Sequence, residues 1–182
     1  ASGEVVEVGN KVKEFKIKDK VVVYPGLVST SNQEVTKNNE HYLKSYKILG
    51  EHIQGVQSEY IVVPYTNIFK MPKNLTFIDA STIPLVFMTA YEMLIKRANI
   101  QKNETVLIYG GSSGIGSAAI QICCNMGLHV IATVGSRNKV RHAKDMGAAN
   151  VVIHSDRNWL NNVKDITKNR GVDIVFEHVG KA

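Results

Sequence analysis

Four glycines fall within seven residues, Gly110-Gly-Ser-Ser-Gly-Ile-Gly116, directly after the apolar run Thr105-Val-Leu-Ile-Tyr109. From about residue 115 to 126 the residues Ile115, Ala119, Ile122 and Met126 recur on one helical face. Strand, glycine-rich turn and helix in that order can bind the pyrophosphate of a nucleotide. The first N–H groups of a helix lack intrahelical partners, and its dipole makes that end slightly positive. Glycines let a ligand approach the backbone and let the helix lie close to its sheet. The usual fingerprint places glycines at i, i+2 and i+5. Here they stand at 110, 111, 114 and 116, so the motif is a variant. A looser match at Gly114, Gly116 and Ala119 begins too far beyond the strand. The assignment rests on context, because a second apolar strand follows at His129–Val134. The alternative is an ordinary strand-to-helix turn with no ligand.

The end of that second strand bears on which dinucleotide binds. An NAD site usually carries Asp or Glu about 20 residues after the glycines, bonded to the ribose 2′-OH. After Val134 the chain reads Gly135-Ser-Arg-Asn-Lys139 and contains no acid. The hydroxyl of Ser136 and the cations of Arg137 and Lys139 would attract a 2′-phosphate. The residues therefore predict NADP(H) in preference to NAD(H). The competing explanation is that Arg137 and Lys139 are solvated residues at a helix start.

The elements that must position these groups can be traced along the chain. Gly3–Gly9 alternates apolar and polar residues as a half-buried strand does, and Phe15–Tyr24 holds a turn and another strand. Residues 25–47 are polar and predict a long irregular loop. Ser58–Pro64 and Ile68–Pro72 predict further strands, and 77–98 predicts helices interrupted at Pro84. From Asn99 the pattern alternates, with strands near 105–109, 129–134, 150–153 and 172–176. Helices fall near 115–126, 137–146 and 159–169. Such alternation implies a parallel sheet with right-handed crossovers. The chain is expected to be incomplete at both ends, because a doubly wound fold has two halves and one is evident.

With 182 residues, 44% of them apolar, the chain can form one large or two small domains. It contains no long uninterrupted apolar run, so no membrane span is expected, and no signal-peptide pattern opens it. Adjacent in a helix, Cys123 and Cys124 point in different directions and predict no disulfide, which suits a reducing cytoplasm. The net charge of +6 arises from 22 basic and 16 acidic residues and is concentrated after residue 80. With no aromatic-basic interleaving, the excess is read as cofactor phosphate recognition plus solvated faces, and no nucleic-acid partner is expected.

Taken together, the segments resemble the medium-chain dehydrogenase/reductase superfamily, the family of alcohol dehydrogenase and quinone oxidoreductase. The resembling stretches are Gly3–Gly9 with Lys18-Asp-Lys-Val21, Glu59–Pro64, Ile83–Tyr91, the glycine turn, Met146-Gly-Ala148 and Gly171–Glu177. The resemblance implies an α/β chain: a partial GroES-like β domain over 1–80, then a partial Rossmann doubly wound parallel sheet over 81–182. It implies a small-molecule substrate between the two, and a homo-oligomer in the full-length form. Residue by residue, Thr89 matches a threonine on the nicotinamide side. Ser112, Ser113, Gly114, Ile115 and Gly116 match the pyrophosphate turn. Ser136 and Lys139 match positions that hold the 2′-phosphate in NADPH-using quinone oxidoreductases. His154 matches an aromatic position beside the adenosine, and Val179 and Gly180 match the strand end near the nicotinamide ribose. Thr89 could instead be a helix residue bonding its own backbone, and His154 a solvent-facing strand-end histidine.

Zinc-dependent members of this family carry four cysteines spaced C-x2-C-x2-C-x7-C in a structural site. The corresponding positions here are Ser29, Asn32, Val35 and Leu43. Val and Leu cannot ligate a metal, so no structural zinc is expected, and nearby Glu40, His41 and His52 make a poor replacement. The late cysteine of the catalytic zinc site corresponds to Leu85. The resemblance therefore favours a zinc-free oxidoreductase passing hydride from NADPH to a quinone, enone or related carbonyl. No general acid is assigned; Tyr46, Tyr60, Tyr91 and His52 are read as structural. Two alternatives stand: a zinc alcohol dehydrogenase with ligands outside these residues, and a catalytically inactive nucleotide-binding homologue. A short-chain dehydrogenase is disfavoured, because no tyrosine follows Tyr109 to make the Tyr-x-x-x-Lys that family needs.

Overall fold

The structure, a computed structural model, describes residues 1–28 and 40–180 and divides into two compact units, Ala1–Leu85 and Val86–Ala182. In the first, β2 (Lys20–Val23) runs antiparallel between β1 (Ser2–Glu4) and β5 (Ile68–Lys70), with Val22 opposite both Ser2 and Phe69. Val21, Val22 and Val23 are buried, so this β-branched run is the core of the unit. A second ribbon pairs β3 (Gly26–Leu27) with β4 (Lys47–Ile48). The two ribbons are tied by Asn67, a buried amide whose Nδ2 donates to the carbonyls of Tyr24 and Gly26. Helix α1 (Phe77–Ser81) is capped by Thr76, whose Oγ1 accepts from Asp79 N at 3.1 Å.

Three expectations need correction in this unit. The first strand stops at Glu4 rather than reaching Gly9. Residues 25–47 are not wholly irregular, because β3, β4 and a 3-10 turn at Glu40–Tyr42 fall among them. Ser58–Pro64 forms no strand. An apolar, β-branched run makes a strand only where a neighbour takes its backbone bonds. None among the described residues does so here, and Val62 stands 101% exposed.

In the second unit α2 (Val86–Tyr91) continues into a π turn, Glu92–Arg97. The predicted interruption at Pro84 is present, and Leu85 beside it has φ +87°. Four strands follow: β6 (Thr105–Ile108), β7 (His129–Val134), β8 (Asn150–Ile153) and β9 (Ile174–Phe176). They pair in parallel in the order β8-β7-β6-β9, with Leu107 opposite both Ile131 and Val175. The helices α3 (Gly114–Asn125), α4 (Val140–Asp145) and α5 (Trp159–Ile166) connect them.

The strand order explains the layers. A right-handed crossover places its helix on one face when the chain steps one way and on the other when it steps back. The steps β6 to β7 and β7 to β8 go one way, and β8 to β9 returns past β6. Val106, Ile108, Val130 and Ala132 accordingly pack with Ala118 and Ile120 of α3 and Ala143 of α4. Leu107, Ile131 and Val152 pack on the opposite face with Val163 and Trp159 of α5. The chain therefore reverses between β6 and β9. In open α/β sheets the ligand crevice lies at the carboxyl ends of the strands flanking such a reversal.

Candidate functional site

The glycine turn leaves β6 at this reversal, and its shape follows from its small residues. Gly110 adopts φ +69°, a left-handed conformation that favours glycine. Its N–H donates to Thr133 Oγ1 at 3.2 Å, and the next N–H, of Gly111, donates to the Thr133 carbonyl at 2.7 Å. Ser113 is the N-cap of α3, with Oγ accepting from Gly116 N at 3.0 Å. Gly116 passes so close under the turn that a Cβ there would stand 2.9 Å from Gly110 C and Gly111 Cα. A Cβ on Gly111 would stand 2.8 Å from the Ala132 Cβ. The glycines at 111 and 116 thus let the turn fold down onto the sheet. Those at 110 and 114 face His178 and Val86, where a Cβ would stand 3.5 and 3.1 Å from the nearest side-chain carbon.

The structure brings most of the expected residues to this end of the sheet. Ser112, Ser113, Gly114, Ile115 and Gly116 form the turn and first helical turn. The N–H groups of Gly114 and Ile115 have no helical partner, because they open α3. Ser136 follows β7 and is half-buried, with its Oγ donating to Asn138 Oδ1. Arg137 and Lys139 lie in the short 3-10 turn after it and are exposed. His154 follows β8; its Nδ1 lies 3.1 Å from Thr133 Oγ1, and its ring stacks on Tyr109 at 4.7 Å. Val179 and Gly180 follow β9, their N–H groups held by Glu177 Oε1 at 2.6 and 3.0 Å. Thr89 lies on α2, whose Val86 touches the start of α3: a Cβ on Gly114 would meet Val86 Cγ1 at 3.1 Å.

Three site residues escaped the sequence reading. Thr133 is fully buried and accepts a turn N–H. Its signal is a lone hydroxyl within the otherwise apolar run Val130–Val134. Tyr109 caps β6 and lies 6.3 Å from the Trp159 ring, so aromatic rings line the α5 side of the strand ends. His178 follows β9 and reaches back across the reversal, with Nε2 2.9 Å from Ser113 Oγ.

A dinucleotide pyrophosphate suits these residues. The unpaired N–H groups at the start of α3 and the Ser113 hydroxyl are anion donors, the glycines expose their backbone, and no carboxylate stands in the turn. The metal expectations are less accessible. Ser29, Asn32 and Val35 lie outside the described residues. Leu43 closes a turn on the Glu40 carbonyl, and Leu85 is an exposed apolar side chain. Among the described residues no cluster of three or more His, Cys, Asp or Glu could hold a metal ion. Burial pushes the Cys123 thiol up to about 12 and raises that of Cys124, whose Sγ donates to the Gly147 carbonyl. Thiols held protonated in this way are poor nucleophiles. Among the described residues no helix is long and apolar enough to cross a membrane.

Comparison with known proteins places both units. Residues 1–73 match the alcohol dehydrogenase GroES-like domain, and residues 114–182 match the family model described as zinc-binding dehydrogenase. An NAD-dependent alcohol dehydrogenase of Sulfolobus acidocaldarius is 34% identical over 181 residues, 98% of this chain and 51% of that protein. The human quinone oxidoreductase is 32% identical over 125 residues, 69% of this chain and 38% of that enzyme. Among solved structures, that of an NAD-dependent alcohol dehydrogenase superposes with TM-score 0.94 at 38% identity, covering 98% of this chain and 52% of the other. The chain spans about half the length of the first two curated relatives.

Proposed function

The chain belongs to the medium-chain dehydrogenase/reductase superfamily, and on that premise we propose that it serves an NADPH-dependent oxidoreductase reducing a quinone, enone or related carbonyl. The observation that carries the proposal is the glycine turn at the strand-order reversal, followed at the end of β7 by Ser136, Arg137 and Lys139 rather than by an acid. The Ser113 hydroxyl and the N–H groups of Gly114 and Ile115 hold the pyrophosphate. Ser136 and the two cations hold the 2′-phosphate, for which Ser136 must give up its bond to Asn138. The aromatic group Tyr109–His154 flanks the adenosine, while Thr89, Val179 and Gly180 serve the nicotinamide half. The bound nicotinamide supplies the hydride, and the protein orients it and excludes water. We assign the GroES-like residues 1–80 to the substrate side and residues 81–182 to the cofactor side. Leu85, in place of a cysteine ligand, supports chemistry without a catalytic zinc. A reducing cytoplasm suits the two free thiols, and we expect a homo-oligomer.

A second cofactor preference, for NAD(H), is favoured by the Sulfolobus relative and the superposed structure, both NAD-dependent alcohol dehydrogenases. Titrating the intact protein with NADPH and NADH separates the two. The expected result is at least about tenfold tighter NADPH binding, with Arg137→Ala/Lys139→Ala removing the preference, since each charge-assisted bond is worth about 1.5–3 kcal/mol. Tighter NADH binding would refute the NADPH assignment. Following NADPH oxidation with a quinone, an enone and an aldehyde then tests the substrate class. Turnover confined to the aldehyde and dependent on zinc would favour a zinc alcohol dehydrogenase instead. Absence of turnover with all three would favour a protein that binds nucleotide without catalysis.

A further inference from the structure

His178 occupies an unusual place. It follows β9, yet its ring lies over the turn that follows β6: a Cβ on Gly110 would stand 3.5 Å from His178 Cε1. Phe176 supports the ring at 5.6 Å. One ring nitrogen, Nε2, is 2.9 Å from Ser113 Oγ. The other, Nδ1, is buried and without a hydrogen-bond partner among the described residues.

For a neutral ring, these facts favour one tautomer over the other. A neutral imidazole carries one N–H and one bare nitrogen. Were the proton on Nδ1, a buried donor would be orphaned, a rare and costly arrangement. With the proton on Nε2, the N–H donates to Ser113 Oγ and only a lone pair is left unpaired. Ser113 Oγ already accepts from Gly116 N at 3.0 Å. A hydroxyl oxygen has two lone pairs and one proton. Both lone pairs are then taken, and the proton remains to be given.

We propose that His178 is a positioning residue for the cofactor: by donating Nε2–H to Ser113 Oγ it commits the Ser113 hydroxyl proton to a phosphate oxygen of the bound dinucleotide. The proposal rests on the cofactor site described above and goes beyond it, because it gives the strand after the reversal a direct hold on the phosphate turn. Without His178, the Ser113 proton has no fixed direction and the donor must be ordered during binding.

The test is a set of dinucleotide affinities measured with NADPH and NADH on the intact protein. His178→Phe keeps the ring and is expected to weaken binding about tenfold, the size of one ordinary hydrogen bond. Ser113→Ala should weaken it at least as much, and the double variant should be no weaker than Ser113→Ala alone. His178→Gln places an amide N–H at the Nε2 position and should restore affinity to within about threefold of the wild type. His178→Asn, which reaches only the Nδ1 position, should not. Nitrogen-15 spectra of the wild-type His178 ring should show the proton on Nε2, a readout that needs no variant to fold. Additive losses in the double variant, equal losses for Gln and Asn, or a neutral ring protonated on Nδ1 would each overturn the proposal. A wild-type protein that binds neither dinucleotide would instead overturn the cofactor site itself.

Discussion

Gly116→Ala puts the packing of the phosphate turn to a direct test. Alanine in an exposed helix would gain about 1 kcal/mol over glycine. At this position the new Cβ would stand 2.9 Å from Gly110 C and Gly111 Cα, and closer still to the Gly110 carbonyl oxygen. Ordinary carbon–carbon contacts lie at about 3.5–4.0 Å. The obstacle is backbone rather than a side-chain end, so the turn must lift by more than about 0.5 Å. Overpacking typically costs about 1–3 kcal/mol, and a backbone obstacle belongs near the top of that range. Subtracting the helix gain leaves about 2 kcal/mol of net destabilisation. For a chain of this length that lowers the melting temperature by about 4–8 °C. Dinucleotide affinity should fall by at least about tenfold, because the donors of the turn move with it. Thermal unfolding by circular dichroism and a fluorescence titration with NADPH and NADH read both effects. Gly135→Ala is the control: its Cβ would meet only His154, at an ordinary 3.5 Å from Nε2. A Gly116→Ala protein that melts with the wild type and binds both dinucleotides equally well would refute the packing argument.

Two further outcomes follow from single side chains. Thr133→Val keeps the shape of the strand but leaves the Gly110 N–H and His154 Nδ1 without Oγ1; an orphaned, partly buried donor predicts a loss of about 1 kcal/mol in chemical denaturation, and an unchanged midpoint would contradict it. Hydrogen bonds from Arg170, then from the Thr105 N–H, hold the Asp173 carboxyl down at about 2, below its unfolded value of about 3.9. Its contribution is therefore present above about pH 4 and lost as pH falls toward 2. Asp173→Asn should melt below the wild type at neutral pH, with the gap closing between about pH 4 and 2; a gap constant with pH would show that the carboxylate charge is not its cause.

The parallel half of the chain was legible because its signals are local and mutually consistent. His129–Val134 and Asn150–Ile153 are strands over the residues their apolar runs mark. The antiparallel half was less legible because its strands depend on partners distant in sequence. Ser58–Pro64 carries the apolar, β-branched run of a strand, yet no described neighbour takes its bonds, and it stays mostly exposed. Conversely, Gly26–Leu27 and Lys47–Ile48 are too short to announce themselves, and Asn67, distant in sequence, holds the first of them beside the end of β2. Periodicity reports which face could be buried; it does not report whether anything arrives to bury it.

The candidate site divides along the same physical line. Glycine spacing and the missing acid after β7 could be read directly, since both are short-range features of the sequence at the proposed cofactor site. The residues that hold them in place could not. Thr133 and His178 act on the turn from two other strands, 23 residues and 65 residues away from the groups they bond. Each is a polar side chain at the end of an apolar strand, where it would otherwise orphan a donor or acceptor. That pattern is informative once the strand order is known, because β7 and β9 are the two neighbours of β6. A phosphate turn leaving the middle strand is thus bonded from both sides, with Thr133 fixing its backbone and His178 its hydroxyl. Both bonds come from the protein's own side chains, and an arrangement in which the fold itself orders the donors lowers the entropy cost of binding a dinucleotide.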